Sequence, residues 1–173
     1  ILMVYDTYAV NPHVYKNLPF DSFKDLTPVT EIVKIPLVVV AGNKLPANNL
    51  KELAELSKTK PNGITFSSGG AGSSGHLAAE LLRNSLGIEM THIPYKGGGP
   101  ALTATIGGET DITILGAVIT VPQIKGGNLK ALAVLGKKRT PALPQTLTAS
   151  EQGLTNFDVS SWIGILVPAG TPP

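Results

Sequence analysis

Residues 64–83 have the sequence ITFSSGGAGSSGHLAAELLR, in which a loop of glycine and serine joins a short apolar segment to an amphipathic one. The apolar alternation at 64–66 predicts a strand, and the leucine and alanine spacing after His76 predicts a helix with Ser73 or Ser74 as its N-cap. Glycines let backbone approach a ligand closely, serines add hydroxyl donors, and a helix N-terminus offers unpaired N–H groups and partial positive charge. The stretch therefore predicts a cradle for a carboxylate or a phosphate.

The same alternation of strand and helix patterns continues on both sides of this stretch. Strands are expected at residues 1–4, 37–41, 64–67, 89–93, 111–115, 129–134 and 162–167, and helices at 50–60, 74–86, 99–107 and 117–125. Pro36 is expected to separate an earlier apolar run from the buried strand at 37–41, and a short helix is expected within 147–153. Alternation of this kind predicts an α/β fold in which helices flank a parallel or mostly parallel sheet.

The composition indicates a globular chain and excludes several classes of function. Of the 173 residues, 42% are hydrophobic and 15% are charged, which is typical of a folded protein. The formal net charge of +2 comes from scattered lysines, which argues against a nucleic-acid surface or a polybasic membrane patch. The chain has no cysteine, so disulfides, thiolate metal sites and a cysteine nucleophile are excluded. The histidines His13, His76 and His92 lack the spacing of a metal site.

Two enzymatic interpretations of the glycine-rich loop compete with simple anion binding. Residues 70–75 match the G-x-G-x-x-G dinucleotide pattern. However, an extra Gly69 separates them from the strand, and residues 93–95 at the end of the next strand do not include the acidic residue that would hold a ribose. Ser74 and His76 suggest a hydrolase, but residues two apart at a helix start point in different directions, and no orienting acid stands nearby. An NAD-binding enzyme stays open as the alternative to a binding module without catalysis.

Three further strand ends carry residues that suit a ligand. Tyr95 and Lys96 precede a second glycine-rich turn, and the helix after that turn has Pro100 in its first turn. Gly116 follows a later strand, and Asp6 follows the first one. Ligands of open α/β sheets gather outside the carboxyl ends of the strands, so these turns are expected to surround one pocket. Ordinary solvated turns are the alternative.

The chain resembles one known family along its whole length. The motifs are FSSGGAGSSGHLA at 66–78 and HIPYKGGGPA at 92–101, together with LKALAV at 129–134, RTPALP at 139–144 and SSWIG at 160–164. In this combination they resemble the Bug-type (TctC-like) receptors of tripartite tricarboxylate transporters. The resemblance implies a periplasmic solute-binding protein with a type II periplasmic-binding-protein fold, whose two α/β domains close like a flytrap on a ligand.

The resemblance also implies how such a protein works. The ligand would be a small carboxylate, such as a di- or tricarboxylate, an amino acid or an aromatic acid, which the receptor delivers to a membrane permease. No catalytic residue, metal or cofactor is implied. The ligand-binding positions carried over from the family are Asp6, Thr7 and Tyr8 in the first domain and Ser68, Gly69, Gly70, Ala71, Gly72, Ser73, Ser74 and Tyr95 in the second.

One departure from the family pattern bears on the choice of ligand. Many relatives have a phenylalanine, aspartate and asparagine turn after the strand that begins at Asp111, whereas this chain has Leu115, Gly116 and Ala117. The rim of the expected site therefore lacks a polar side chain, and a sensory domain that kept the fold without the transport role is a further alternative. Asp6 is expected to face the anion site, where it would select a ligand with an amino or hydroxyl group.

The resemblance also predicts how the chain divides into domains. Residues 1–36 would be part of a first domain, residues 37–167 a second α/β domain with its two crossover strands, and residues 168–173 the start of the return into the first. The chain is thus expected to be a fragment of a longer protein, with a further ligand loop of the first domain lying before Ile1. Its exposed interdomain surface is expected to favour a dimer.

Overall fold

The computed structural model describes residues 1–61, 63–155 and 157–172, which form two compact units. Unit 1 consists of Ile1–Ile35 and Ser161–Pro173, and unit 2 consists of Pro36–Ser160. Asn62, just after the helix expected at residues 50–60, and Pro173, in the expected return segment, lie outside the described residues. The division into functional domains at 36 and 167 stays a prediction.

The strands and helices alternate along most of the chain. The strands are β1 Leu2–Tyr5, β2 Leu26–Gly42, β3 Ile64–Ser68, β4 Met90–Pro94, β5 Ile112–Gly116, β6 Leu129–Val134 and β7 Ser160–Pro168, and the helices are α1 Thr7–Val14, α2 Leu50–Thr59, α3 Ser74–Leu86, α4 Gly98–Gly107 and α5 Ala117–Lys125. The expected bounds of α3, α5 and β6 agree with the structure. The other expected elements differ by a few residues at their ends, except that the strand expected at 37–41 begins at Leu26. The expected α/β fold is therefore confirmed.

Unit 1 contains the first part of β2 together with β1, α1 and β7. Strand β1 pairs antiparallel with β7, with Val4 opposite Gly164, and β7 lies between β1 and β2 in the sheet order. Glycine at 164 fits because a Cβ there would lie 3.2 Å from the Thr30 carbonyl oxygen and from the Trp162 ring. The three strands thus pack closely around this glycine.

Unit 2 is built on a five-stranded sheet. Strand β3 pairs parallel with β4 and with β5, while the second part of β2 pairs antiparallel with both β5 and β6. Strands β3, β4, β5 and β6 therefore run in one direction, and β2 runs against them. The sheet of unit 2 is thus mixed, with most of its strands running in one direction as expected.

The second part of β2 divides the core of unit 2 into two layers. Its residues 37–41 are all at most 1% exposed, and successive side chains point to opposite faces of the sheet. Leu37, Val39 and Ala41 pack in one layer, which contains the buried face of α2 and α3; Val38 and Val40 pack in the other, which contains residues of α4 and α5. A continuous apolar run is what a strand covered on both faces requires.

Two local expectations from the sequence are wrong. Strand β2 continues through Pro36, because the paired part of β2 in unit 2 begins at Leu37 and the missing proline N–H costs no ladder bond there. Residues 149–153 form turns rather than a helix, and Thr148 before them forms a β-bridge with Val134. The side chains of Thr148 and Glu151 each accept a hydrogen bond from the other residue's backbone N–H. This is the arrangement of a capping box, but no helix follows it here.

Candidate functional site

The loop between β3 and α3, residues 69–73, is the centre of the candidate site and is called the Gly/Ser loop below. Gly70 has φ of 126° and Gly72 has φ of 79°, which are conformations that L side chains rarely adopt. Ser73 is the N-cap of α3, and its Oγ accepts from the His76 N–H at 3.3 Å. The sequence alone did not distinguish Ser73 from Ser74 as the N-cap.

The hydrogen bonds of the loop show which N–H groups are already engaged. The Gly70 N–H donates to Ser68 Oγ at 3.1 Å, and the Gly72 N–H donates to His76 Nδ1 at 3.1 Å. The N–H groups of Ser74 and Gly75 occupy the first turn of α3, where no helical acceptor exists four residues back. Donors for an anion are therefore found at the start of α3 rather than at the middle glycines.

A second loop, between β4 and α4, is bonded directly to the first. The Tyr95 N–H donates to the Ser68 carbonyl at 3.0 Å, and the Gly97 N–H donates to the Gly69 carbonyl at 3.2 Å. A Cβ at position 69 would lie 3.3 Å from the Gly98 nitrogen, so the two backbones approach too closely for an unstrained side chain. The first turn of α4 therefore begins beside that of α3.

The start of a third helix, α5, lies at the same edge of the sheet. A Cβ at Gly75 would lie 2.2 Å from the carbonyl oxygen of Ile114, so α3 rests directly on the backbone of β5. A Cβ at Gly98 would lie 3.3 Å from the Leu115 side chain. The three helix N-termini that follow β3, β4 and β5 converge there, and their partial positive charges add.

Tyr95 is placed at this edge by its backbone, but its hydroxyl has a partner of its own. The hydroxyl donates to Glu109 Oε2 at 3.1 Å. Burial raises the pKa of Tyr95, and the bond to Glu109 raises it further. Lys96 beside it is exposed. The structure thus brings the Tyr95 main chain to the Gly/Ser loop and directs its side chain to Glu109.

Two histidines lie behind the Gly/Ser loop. The ring of His92 stacks between Phe66, with ring centroids 4.7 Å apart, and His76, with centroids 4.1 Å apart. His92 Nε2 lies 2.7 Å from Ser68 Oγ. Burial lowers the pKa of His92, the neighbouring His76 lowers it further, and Glu80 opposes these effects.

His76 bonds to the loop four residues before it, and the role of His92 was not anticipated from the sequence. The available signal was the pairing of two adjacent parallel strands. His92 stands opposite Phe66 in the register of β3 and β4, two residues before the strand end. That register was not deducible from periodicity alone.

The expected first-domain residues lie in unit 1 at the start of α1. Asp6 is the N-cap of α1, its side chain makes no capping bond, and its Oδ2 is buried without a hydrogen-bond partner among the described residues. Thr7 is the first residue of α1 and is half-buried. The Tyr8 hydroxyl donates to the Ser22 carbonyl, and burial raises its pKa. Asp6 is therefore the member of this set with an open acceptor.

A groove of unit 2 away from the Gly/Ser loop offers a weaker site. A groove of about 390 Å³ lies at the opposite edge of the unit 2 sheet, where Asp111 pairs with Lys60 and accepts from Thr65 N and Oγ1 at 2.7 and 2.8 Å. These polar groups already have partners. Within the described ranges, no group of histidine and acidic side chains suits a metal ion, and no helix is long and apolar enough to cross a bilayer.

Comparison of the sequence with known proteins gives one consistent family. The model of the tripartite tricarboxylate transporter family receptor matches residues 1–173. A UPF0065 protein of Bordetella pertussis is 38% identical over 165 residues, and the protein BugT of the same organism is 34% identical over 165 residues. Each match covers 95% of this chain and 51% of the relative, so the chain spans about half the length of these curated relatives.

Solved structures agree with the sequence comparison. The R. palustris protein Rpa4515 with adipate has a TM-score of 0.92 and 30% identity, with 98% of this chain and 57% of that chain covered. MatC from Rhodopseudomonas palustris with bound malate has a TM-score of 0.88 and 30% identity, with 98% and 58% covered. The expected periplasmic-binding-protein fold is thus confirmed.

The comparisons also bear on the enzymatic alternative. The matching family consists of solute-binding receptors and not of enzymes, and the structure supplies no acidic residue at the end of β4 that could hold a ribose. With the family model matching residues 1–173, this chain belongs to the tripartite tricarboxylate transporter receptor family.

Proposed function

We propose that the protein containing this chain is a periplasmic receptor that captures a small carboxylate in an interdomain cleft and delivers it to the membrane permease of a tripartite tricarboxylate-type transporter. The observation that carries the proposal is the open first turn of α3, with the N–H groups of Ser74 and Gly75, beside the start of α4. Backbone donors at a helix N-terminus favour an anion without performing chemistry on it.

A dicarboxylate is the preferred ligand class. Two structural neighbours of this chain carry adipate and malate, which are both dicarboxylates. The rim beside α5 is formed by Gly116 and Ala117, which offer backbone but no polar side chain. Recognition of the carboxylate at this edge therefore rests on main-chain N–H groups and on the hydroxyls of Ser73 and Ser74.

Asp6 adds a proposed element of specificity from unit 1. A buried carboxylate oxygen that accepts no hydrogen bond raises the free energy of the folded protein. A hydrogen-bond donor of the ligand would remove this penalty. The Asp6 carboxylate would repel an anionic ligand group placed directly against it and would attract a hydroxyl or ammonium group, such as the hydroxyl of a hydroxydicarboxylate. Asp6 Oδ2 therefore favours a ligand with such a donor, such as a hydroxy acid or an amino acid.

The proposal is tested by calorimetric titration of the intact protein. The ligands are adipate, malate, succinate, a tricarboxylate, an amino acid and NAD, each assayed for turnover after binding. Micromolar binding of a carboxylate without turnover supports the receptor, and tighter binding of malate than of succinate supports the role of Asp6. Saturable binding of NAD with no carboxylate binding would overturn the proposal.

A further inference from the structure

The stacked rings of His76 and His92 connect the core of unit 2 to the Gly/Ser loop. His76 holds the Gly72 N–H, and His92 holds Ser68, whose Oγ in turn accepts from the Gly70 N–H. Both glycines with positive φ are thereby fixed by an imidazole, one directly and one through Ser68. The inference below rests on the proposed function, because it concerns the same loop.

The bond from Gly72 fixes the protonation state of His76. A backbone N–H is always a donor, so the ring nitrogen that faces it at 3.1 Å, Nδ1, must carry a lone pair and no proton. A proton on Nδ1 would place two donors against each other and break this bond. His92 differs, because its Nε2 can donate to Ser68 Oγ whether the ring is neutral or charged.

The stacking adds a second restriction. Ring centroids 4.1 Å apart leave little room for solvent between His76 and His92, so two positive charges there repel strongly. The charged groups that act on the pair from α3 are Glu80, which favours a positive ring, and Arg83, which binds Glu80 at 2.8 Å and offsets it. The facing residue of β3 is the uncharged Phe66.

We infer that His76 and His92 are positioning residues of the Gly/Ser loop, which hold it in its anion-binding conformation only while His76 is uncharged. Acidification that protonates His76 at Nδ1 breaks the bond from the Gly72 N–H and weakens carboxylate binding. If an imidazolium simply attracted the bound anion, acidification would strengthen carboxylate binding. The direction in which affinity changes with pH therefore distinguishes that attraction from the loss of the Gly72 bond.

The first test uses the protein without ligand. Nitrogen-15 NMR of the imidazoles at pH 8 should show His76 as the neutral tautomer with its proton on Nε2, and the Gly72 amide resonance should shift with the titration of His76. A His76 proton on Nδ1 at pH 8, or a Gly72 amide that does not follow the titration, would overturn the inference. This measurement tests the role of His76 without any ligand, so its result holds even if the proposed ligand class is wrong.

The second test measures the dissociation constant of adipate by calorimetry between pH 8 and pH 5.5. Wild-type affinity should fall about five- to tenfold over this range, which is the effect of one lost hydrogen bond. His76→Phe keeps the stacked ring without an acceptor and should bind weakly at every pH. His76→Asn keeps an acceptor near the Nδ1 position without titrating, so it should bind more tightly than His76→Phe.

Adipate itself takes up protons over this pH range, and this lowers the measured affinity of every variant equally. A comparison between variants therefore corrects for it. The difference in pH dependence between wild type and His76→Asn is therefore due to the imidazole, and His13→Asn, at an exposed histidine of α1, should keep the wild-type profile. An affinity that rises on acidification, or a His76→Asn variant with the wild-type pH dependence, would contradict the inference. Lack of adipate binding at any pH would count against the proposed function instead.

Discussion

Ser74 is the residue at which an added charge tests the site with little damage to the fold. It occupies the first turn of α3, where an acidic side chain interacts favourably with the helix dipole, by about 0.3–1 kcal/mol. Aspartate at the neighbouring Gly72 would be a poorer test, because φ of 79° strains any L side chain. A substitution at 74 therefore separates ligand binding from stability.

We predict that Ser74→Asp abolishes carboxylate binding and leaves the protein as stable as wild type or slightly more stable. The fixed negative charge would lie where the ligand carboxylate meets the open N–H groups of α3. Ser74→Asn, which has a similar shape without the charge, should still bind. Calorimetry and thermal unfolding measure the two properties separately, and carboxylate binding by Ser74→Asp at wild-type affinity would show that the site is wrongly assigned.

Gly75 shows how one residue sets the distance between α3 and β5. Its Cα faces the Ile114 carbonyl, so closely that a Cβ would lie 2.2 Å from the oxygen. Alanine is intrinsically the better helix former, by about 1 kcal/mol. Steric overlap with a rigid backbone atom outweighs that gain, since overpacking of a core costs about 1–3 kcal/mol.

Gly75→Ala should accordingly lower the free energy of unfolding by about 1–2 kcal/mol. The matched control is Gly107→Ala at the end of α4, where a Cβ meets nothing within 4 Å, and this variant should be neutral or slightly stabilising. Urea unfolding monitored by circular dichroism gives both values. Equal effects of the two substitutions would mean that α3 can move off β5 freely.

At the scale of secondary structure, local sequence was sufficient where an element is defined by its own periodicity. Helix α3 has a cap, an apolar face and a closing glycine at 87, all within its own segment, and its bounds follow from these. The continuity of β2 through Pro36 and the placement of His92 beside Phe66 depend on which strand lies next to which. Such pairings are set by the tertiary fold, which a periodicity pattern does not contain.

The candidate site was predictable to a similar degree. The composition of the Gly/Ser loop identified an anion cradle, because glycine and serine before a helix have direct chemical meaning. The assignment of individual donors was not predictable, since the engagement of Gly70 by Ser68 and of Gly72 by His76 appears only in three dimensions. The direction of the Tyr95 side chain toward Glu109 was likewise not predictable from the sequence.

The segment between β6 and β7 has little regular structure and is stabilised by an ion pair. Arg139 binds both carboxylate oxygens of Glu151, with Nε at 3.0 and 2.9 Å, and Glu151 also accepts from the Thr148 N–H at 2.7 Å. The bond from Arg139, followed by that from Thr148, lowers the pKa of Glu151 from 4.5 to about 2. The carboxylate is therefore more acidic in the folded state than in the unfolded state.

We predict that Glu151 contributes to acid sensitivity in a defined window. A group whose folded pKa is depressed stabilises the fold above its unfolded pKa, here 4.5, and loses that contribution as the pH falls toward about 2. Glu151→Gln should be less stable than wild type at pH 7, and the difference should shrink toward pH 2. The effect should be modest, since Glu151 is exposed and its ion pair is screened by solvent.

Urea unfolding at pH 7, 4.5 and 3 measures this difference. Glu55→Gln is the control, because Glu55 is an exposed carboxylate paired with Lys58 one helical turn away. Asp21 and Glu52 also have lowered pKa values, so the comparison of variants, rather than the wild-type curve, isolates Glu151. A stability difference for Glu151→Gln that does not change with pH would refute the prediction.

For the molecule as a whole, burial is distributed very unequally between the two units. Among the described residues of unit 1, the buried hydrophobic side chains are Val4 and Leu166, whereas unit 2 contains both core layers. Large apolar side chains of unit 1 are exposed, among them Tyr5 at 54%, Phe23 at 68% and Val29 at 59%. Exposed apolar surface of this kind favours association with another protein surface.

We therefore predict that residues 36–160, produced alone, fold cooperatively and stay monomeric. They are contiguous in sequence and form one compact unit with a core on both faces of the sheet. The 173-residue chain should instead self-associate through the apolar surface of unit 1, as a dimer or larger species. Light scattering gives the masses, and chemical unfolding of the fragment gives the cooperativity.

Substitution of one exposed side chain tests whether the apolar surface of unit 1 causes the self-association. Phe23→Ser removes the most exposed aromatic residue of unit 1 and should shift the 173-residue chain toward the monomer, while Leu81→Ser, at an exposed position of α3 in unit 2, should not. A fragment 36–160 without a cooperative transition would show that the unit 2 core depends on unit 1. A 173-residue chain that stays monomeric at high concentration would show that unit 1 tolerates its exposed apolar surface.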